Sequence, residues 1–130
     1  MIRFALALML LPALAAAEEI HDCVVADFLT SDRNDGAFAE MNRQKIFTLT
    51  RTGTQIDVAF DAPDGRRIAQ TYGVVFEDDM TVFAIRPQLM NLDSLVLPAN
   101  PERRGPRFNA TISLQGEFFV NAWILACTTR

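Results

Sequence analysis

The chain has 130 residues, half of them hydrophobic, with 12 basic against 16 acidic side chains. That suffices for one domain around one core, and the acidic balance, with Lys45 the only lysine, argues against nucleic acid or an anionic membrane as partner, since both select clustered Lys and Arg. A single histidine, His21, and two cysteines outside any Cys-x-x-Cys pair make no ligand set for a metal, and no motif points to a cofactor.

Residues 1–17 read as a secretory signal peptide. Arg3 precedes an apolar stretch from Phe4 to Leu11, Pro12 breaks it, and Ala15, Ala16 and Ala17 supply the small side chains expected before cleavage at Glu18. The apolar stretch falls short of the roughly 20 residues that a membrane span takes. Cleavage removes one arginine and no acid, leaving a single secreted domain over 18–130 with a net charge of −5 (11 basic, 16 acidic). In an exported chain two cysteines most simply form one disulfide, the alternative being two free thiols. Cys23 and Cys127 stand near opposite ends, so their bridge closes a loop of about a hundred residues, which the chain-entropy description values at about 4–5 kcal/mol.

Along the chain, 24–28 is short, β-branched and aromatic, and reads as a first strand. Turn formers crowd 30–36, and 37–44 has helix-forming composition over about two turns, a length marginal for an isolated helix. The segment 30–44 is therefore expected to be a long loop with a helical turn, of a length more often functional than not. From Lys45 the period becomes two: Phe47, Leu49 and Arg51 share one face, and after a tight turn at Thr52 and Gly53, so do Ile56, Val58 and Phe60. Pro63, Asp64 and Gly65 make a second turn. Ile68, Tyr72, Val74 and Phe76 continue the alternation, with Gly73 marking a bulge or bend. Strands follow over 81–86 and 92–97, each ended by a proline, and then a loop over 98–106 rich in Pro and Arg. Phe108, Ala110, Ile112 and Leu114 alternate with polar residues. After Gln115 and Gly116, the run 117–127 is apolar on both faces apart from Asn121, which predicts a strand whose outer side is covered, with 30–44 as the cover.

These segments predict an all-β domain: one antiparallel meander of about eight strands closed into a small barrel, the alternative being a β-sandwich. Closure is favoured because a Cys23–Cys127 bridge needs the first and last strands within roughly 7 Å, Cα to Cα, and because joining them removes exposed edges. A disulfide-closed secreted meander resembles the calycin-like small barrels, a group that includes periplasmic inhibitors of lysozyme and carriers of small apolar ligands. The resemblance is one of architecture and implies binding rather than any particular site.

Catalytic chemistry finds little support. His21 is expected to be solvated near the start of the mature chain, and Ser31, Ser94 and Ser113 lack a Gly-x-Ser-x-Gly setting. Asp57, Asp61, Glu77, Asp78, Asp79 and Glu117 fall on turns or wet faces, with no cause for a raised pKa. Residues 31–36 fail as a calcium loop. With Gly36 at the sixth position, Arg33 takes an oxygen position and Asn42 that of the bidentate glutamate. An ordinary turn is favoured there over an irregular site from Asp32, Asn34, Asp35 and Glu40.

The expected function is a non-enzymatic periplasmic or secreted binding domain. Its loops at one barrel end, 30–44 with Asp32 and Asp35 and 98–106 with Arg103 and Arg104, joined by Arg107, would contact a protein or envelope component, as an inhibitor-like module does. The alternative is a carrier of a small apolar ligand in a lumen lined by Phe60, Phe76, Phe83 or Phe108. A third class, an enzyme using paired carboxylates, requires two acids in one pocket. Phe118, Phe119 and Trp123 are read as core residues before mouth residues.

Overall fold

The computed structural model describes residues 17–130, so the expected signal peptide lies outside the described residues but for Ala17. Strands β1 (Glu18–Thr30), β2 (Ile46–Thr52), β3 (Gln55–Asp61), β4 (Arg67–Glu77), β5 (Thr81–Pro87), β6 (Leu92–Pro98), β7 (Phe108–Gln115) and β8 (Val120–Thr129) follow one another in antiparallel order. β8 pairs back onto β1, so the meander is a closed barrel and not a sandwich. Between β1 and β2 lies the helix α1 (Gly36–Arg43), and a short 3₁₀ turn, Pro101–Arg104, precedes β7.

The closing register sets Cys23 directly opposite Cys127, with Cα atoms 4.1 Å apart and the disulfide formed. Covalent and hydrogen-bonded closure thus coincide in one cross-strand pair, and the barrel has no free edge. The alternation read from the sequence is the alternation of burial. Leu49, Ile56, Val58, Tyr72, Val82, Ala84, Leu95 and Leu125 point inward and exclude water almost completely. Tight turns at Gly53 and Gly65 rest on positive φ (62° and 83°), a conformation glycine adopts without steric cost.

Two bulges reset the phase. One in β1, between Val25 and Asp27, lets both Cys23 and Phe28 face the core. The other, in β4, falls between Val74 and Phe76 rather than at Gly73, which pairs regularly with Gln55 and Ile85. Its extra residue turns Phe76 outward, 55% exposed and opposite Phe83, and brings Glu77 to the inner side opposite the buried Val82.

An antiparallel meander sends its connections alternately to two ends. Those after β1, β3, β5 and β7 share the end that carries α1, while those after β2, β4 and β6 share the end that carries the 3₁₀ turn, with the start of β1 and the finish of β8. The 3₁₀ end is plugged. His21 is 1% exposed, meets Phe108 edge-on at 5.0 Å and bonds Thr129 Oγ1 through Nδ1 at 3.0 Å. Beside it Arg51 donates to Glu77 at 2.6 Å. His21 is therefore a packed core residue of a 13-residue β1, not the solvated residue expected from its place in the chain.

At the other end the segment 30–44 is more ordered than a loop. Asp35 accepts from the Phe38 N–H and caps α1. Phe38 then packs edge-on against Phe28 at 5.8 Å, so the helix docks on β1 and does not lie over β8. Strand β8 needs no such cover: Asn121, Trp123, Leu125 and Cys127 go inside, and the outward residues between them include the small Ala122 and Ala126.

Candidate functional site

The α1 end holds a cavity of about 280 Å³ reaching into the barrel. Every strand except β1 and β5 contributes lining, and each lining residue follows from the inward phase of its strand. Phe47, Phe60, Ile112 and Leu114 form an apolar wall. Phe47 and Phe60 are a cross-strand pair with rings 5.5 Å apart, and Phe47 meets Trp123 at 6.3 Å. Trp123 in turn packs on Phe28 at 5.1 Å, which ties the wall to the helix.

Polar groups interrupt that wall at two places. Lys45, immediately before β2, continues the inward series of Phe47 and Leu49. Its ammonium stands 4.8 Å from the Phe60 ring centroid and 5.2 Å from that of Trp123. Burial pushes its pKa below the ordinary lysine value, and it pairs with no carboxylate among the described residues. Deeper lies Asp93, 4% exposed and inward on β6. Its Oδ2 accepts from Arg86 Nη1 and Gln88 Nε2, each at 3.0 Å. Tyr72 lines the same region, and burial, with the Asp93 charge adding, raises its phenol well above the ordinary range.

Two buried polar atoms of these lining residues, the Trp123 indole Nε1 and Asp93 Oδ1, make no hydrogen bond among the described residues. A buried donor or acceptor left unmade costs about 1–3 kcal/mol. One N–H donor, one carboxylate acceptor and an unpaired ammonium around an apolar space are the features of a site that orients an occupant.

Comparison of the chain with protein-family models, with curated proteins and with solved structures returned no match.

Of the four phenylalanines expected in the lumen, only Phe60 lines this cavity. Phe108 points inward but plugs the 3₁₀ end against His21. Phe76 and Phe83 sit on the outer face, Phe76 turned out by the β4 bulge and Phe83 because Val82 and Ala84 take the inward phase of β5. Phe118 and Phe119 belong to the β7–β8 turn rather than the core, Phe118 being 87% exposed. Trp123 is a lining residue.

The two loops expected to act together lie at opposite ends. Asp32 and Asp35, at the α1 end, serve the local backbone: Asp32 accepts from the Asn34 N–H at 3.1 Å, and Asp35 caps the helix. Arg103, Arg104 and Arg107 lie at the 3₁₀ end. Arg104 and Arg107 line an open hollow of about 410 Å³ with Met80 and Val96, and Arg103 and Arg104 line an adjoining one of about 270 Å³. None of the three forms an ion pair among the described residues, whereas Arg43, Arg51, Arg66, Arg67, Arg86 and Arg130 all do.

The acids considered for paired chemistry do not converge on the cavity. Asp61 pairs with Arg67 at 3.2 Å, Glu77 with Arg51, and Asp78 accepts two N–H groups of its own turn at 2.8 Å. Lys45, Asp93 and Tyr72 were missed as site residues. The signal for Asp93 was present, since an acid at the inward phase of 93, 95 and 97 contradicts a purely apolar core.

Proposed function

We propose that the barrel is a non-enzymatic binding domain that holds a small amphipathic molecule in the cavity at its α1 end. The observation that carries this reading is the pairing of an apolar wall with two buried polar atoms that make no hydrogen bond among the described residues, Trp123 Nε1 and Asp93 Oδ1. The volume, just under the roughly 300 Å³ at which small-molecule pockets begin, favours a compact occupant. The lining holds one carboxylate, already engaged by Arg86 and Gln88, and no histidine, serine or cysteine, which favours binding over catalysis. The disulfide supports an oxidising setting, periplasmic or extracellular.

Trp123 is the only tryptophan and lines the cavity, so its fluorescence reports occupancy directly. Titration with a panel of eight- to ten-atom amphiphiles should give a saturable change for some members, and Leu114→Phe, which narrows the cavity, should weaken it. Absence of any saturable response across the panel refutes the carrier reading.

A second reading is favoured by the three unpaired arginines around the 3₁₀ turn: that face takes an acidic surface of a protein or envelope component, in the manner of an inhibitor-like module. Arg103→Ala with Arg104→Ala should weaken capture of that partner from an envelope extract, and undiminished capture removes this reading.

A further inference from the structure

We infer that the occupant of the α1-end cavity is a carboxylate, its anionic head held by the Lys45 ammonium beside the Trp123 indole and its hydrocarbon body lying along Phe47, Phe60, Ile112 and Leu114. This rests on the cavity reading above and adds the chemical class of the ligand.

Lys45 is the only cation in the lining that lacks a carboxylate partner, and it is half-buried between two aromatic rings. The ring faces offset only part of the hydration an ammonium loses on burial, and its lowered pKa records the remainder. An anion restores that loss. Next to it the Trp123 N–H is a buried donor without an acceptor, on the same ring that the ammonium approaches at 5.2 Å. A carboxylate has two oxygens for two such donors.

The other pole of the cavity repels anions. Asp93 lines that pole beside the Tyr72 phenol, and its guanidinium partner, Arg86, is already committed to Oδ2. The charges therefore fix a direction: the anionic head sits by Lys45, and any hydrogen-bond donor on the far end of the ligand meets Asp93. A phosphate dianion fits less well, because one ammonium and one N–H are few donors for its charge and no arginine lines the cavity. A neutral hydrocarbon leaves all three polar groups unmet.

The test uses octanoate and 1-octanol, which share a chain and differ in the head, titrated into the disulfide-intact protein with Trp123 fluorescence and a thermal shift as readouts. Octanoate should bind about ten- to a hundredfold tighter than 1-octanol, the span of a charge-assisted hydrogen bond. Lys45→Met should abolish that preference while leaving 1-octanol binding in place, and Lys45→Arg should restore part of it. Thermal unfolding of each variant checks that the barrel is intact. Equal affinity for the two probes, or an octanoate preference that survives in Lys45→Met, overturns the carboxylate assignment while the carrier reading stands. Binding of neither probe overturns both.

Discussion

Arg86 and Asp93 face each other across β5 and β6 and are joined at 3.0 Å, with Asp93 almost wholly buried and Arg86 about one-third exposed. The burden of this pair is unequal. Removing the cation strands a carboxylate in the barrel, whereas removing the carboxylate leaves a guanidinium that reaches water. Arg86→Met should therefore destabilise the protein by about 3–5 kcal/mol. Asp93→Asn should cost distinctly less, and the double change Arg86→Met with Asp93→Leu should recover most of the loss. Urea midpoints of the three variants test this ordering; a double change as damaging as Arg86→Met alone would refute it.

The disulfide ties two strands that already pair in register, so its contribution falls chiefly on the unfolded chain. Cys23 and Cys127 are 104 residues apart. Replacing both with alanine should lower stability by about 4–5 kcal/mol in the chain-entropy description while leaving the far-ultraviolet circular dichroism of the folded state unchanged. Denaturant titrations of the variant and the oxidised parent provide the comparison.

The fold was legible because its determinants are local and periodic. Alternating residues placed β2, β3 and β7, and the cysteine positions chose closure over an open meander. What failed was phase. One extra residue in a strand moves every later side chain to the other face, and nothing about Val75 announces that the bulge falls there instead of at Gly73. Phe76 was misplaced for this reason; Phe83 lies on a strand without a bulge, and its phase was obscured because β5 is apolar at Phe83 and Ile85 as well as at the inward Val82 and Ala84. The site was hidden for a related reason. Lys45 and Asp93 look like ordinary strand-end charges until the strands close and point them into one cavity. His21 was misjudged because pairing on both sides of β1 extends order well ahead of the apolar stretch that the sequence marks.

Exposed and inward positions of the barrel should differ sharply in their tolerance. Phe76→Ala removes a side chain 55% exposed, whose cross-strand contact with Phe83 is worth at most about 1 kcal/mol. Leu125→Ala removes a side chain with no exposure and should cost about 2–5 kcal/mol. Chemical denaturation of both variants decides whether the bulge is where the register puts it. A Phe76→Ala change as costly as Leu125→Ala would place Phe76 inside.

His21 makes stability depend on pH in a range where no carboxylate of ordinary pKa titrates. Burial holds its pKa below 6.5, opposed by Glu19, whose carboxylate is 3.7 Å from Nε2, and assisted by the Arg51 charge. In the unfolded chain the same imidazole takes up its proton near pH 6.5. As pH falls, the unfolded state therefore binds the proton first. The contribution of neutral His21 is complete above pH 6.5 and is lost as pH drops from there through the lowered value in the fold. The melting temperature should fall between pH 7 and pH 5.5, above the range where carboxylates protonate. In His21→Asn, which keeps a polar group near Thr129 but cannot titrate, the slope over that interval should flatten, whatever the absolute stability of the variant. An equal slope in both proteins would show that the imidazole is not held neutral in the plug with Phe108.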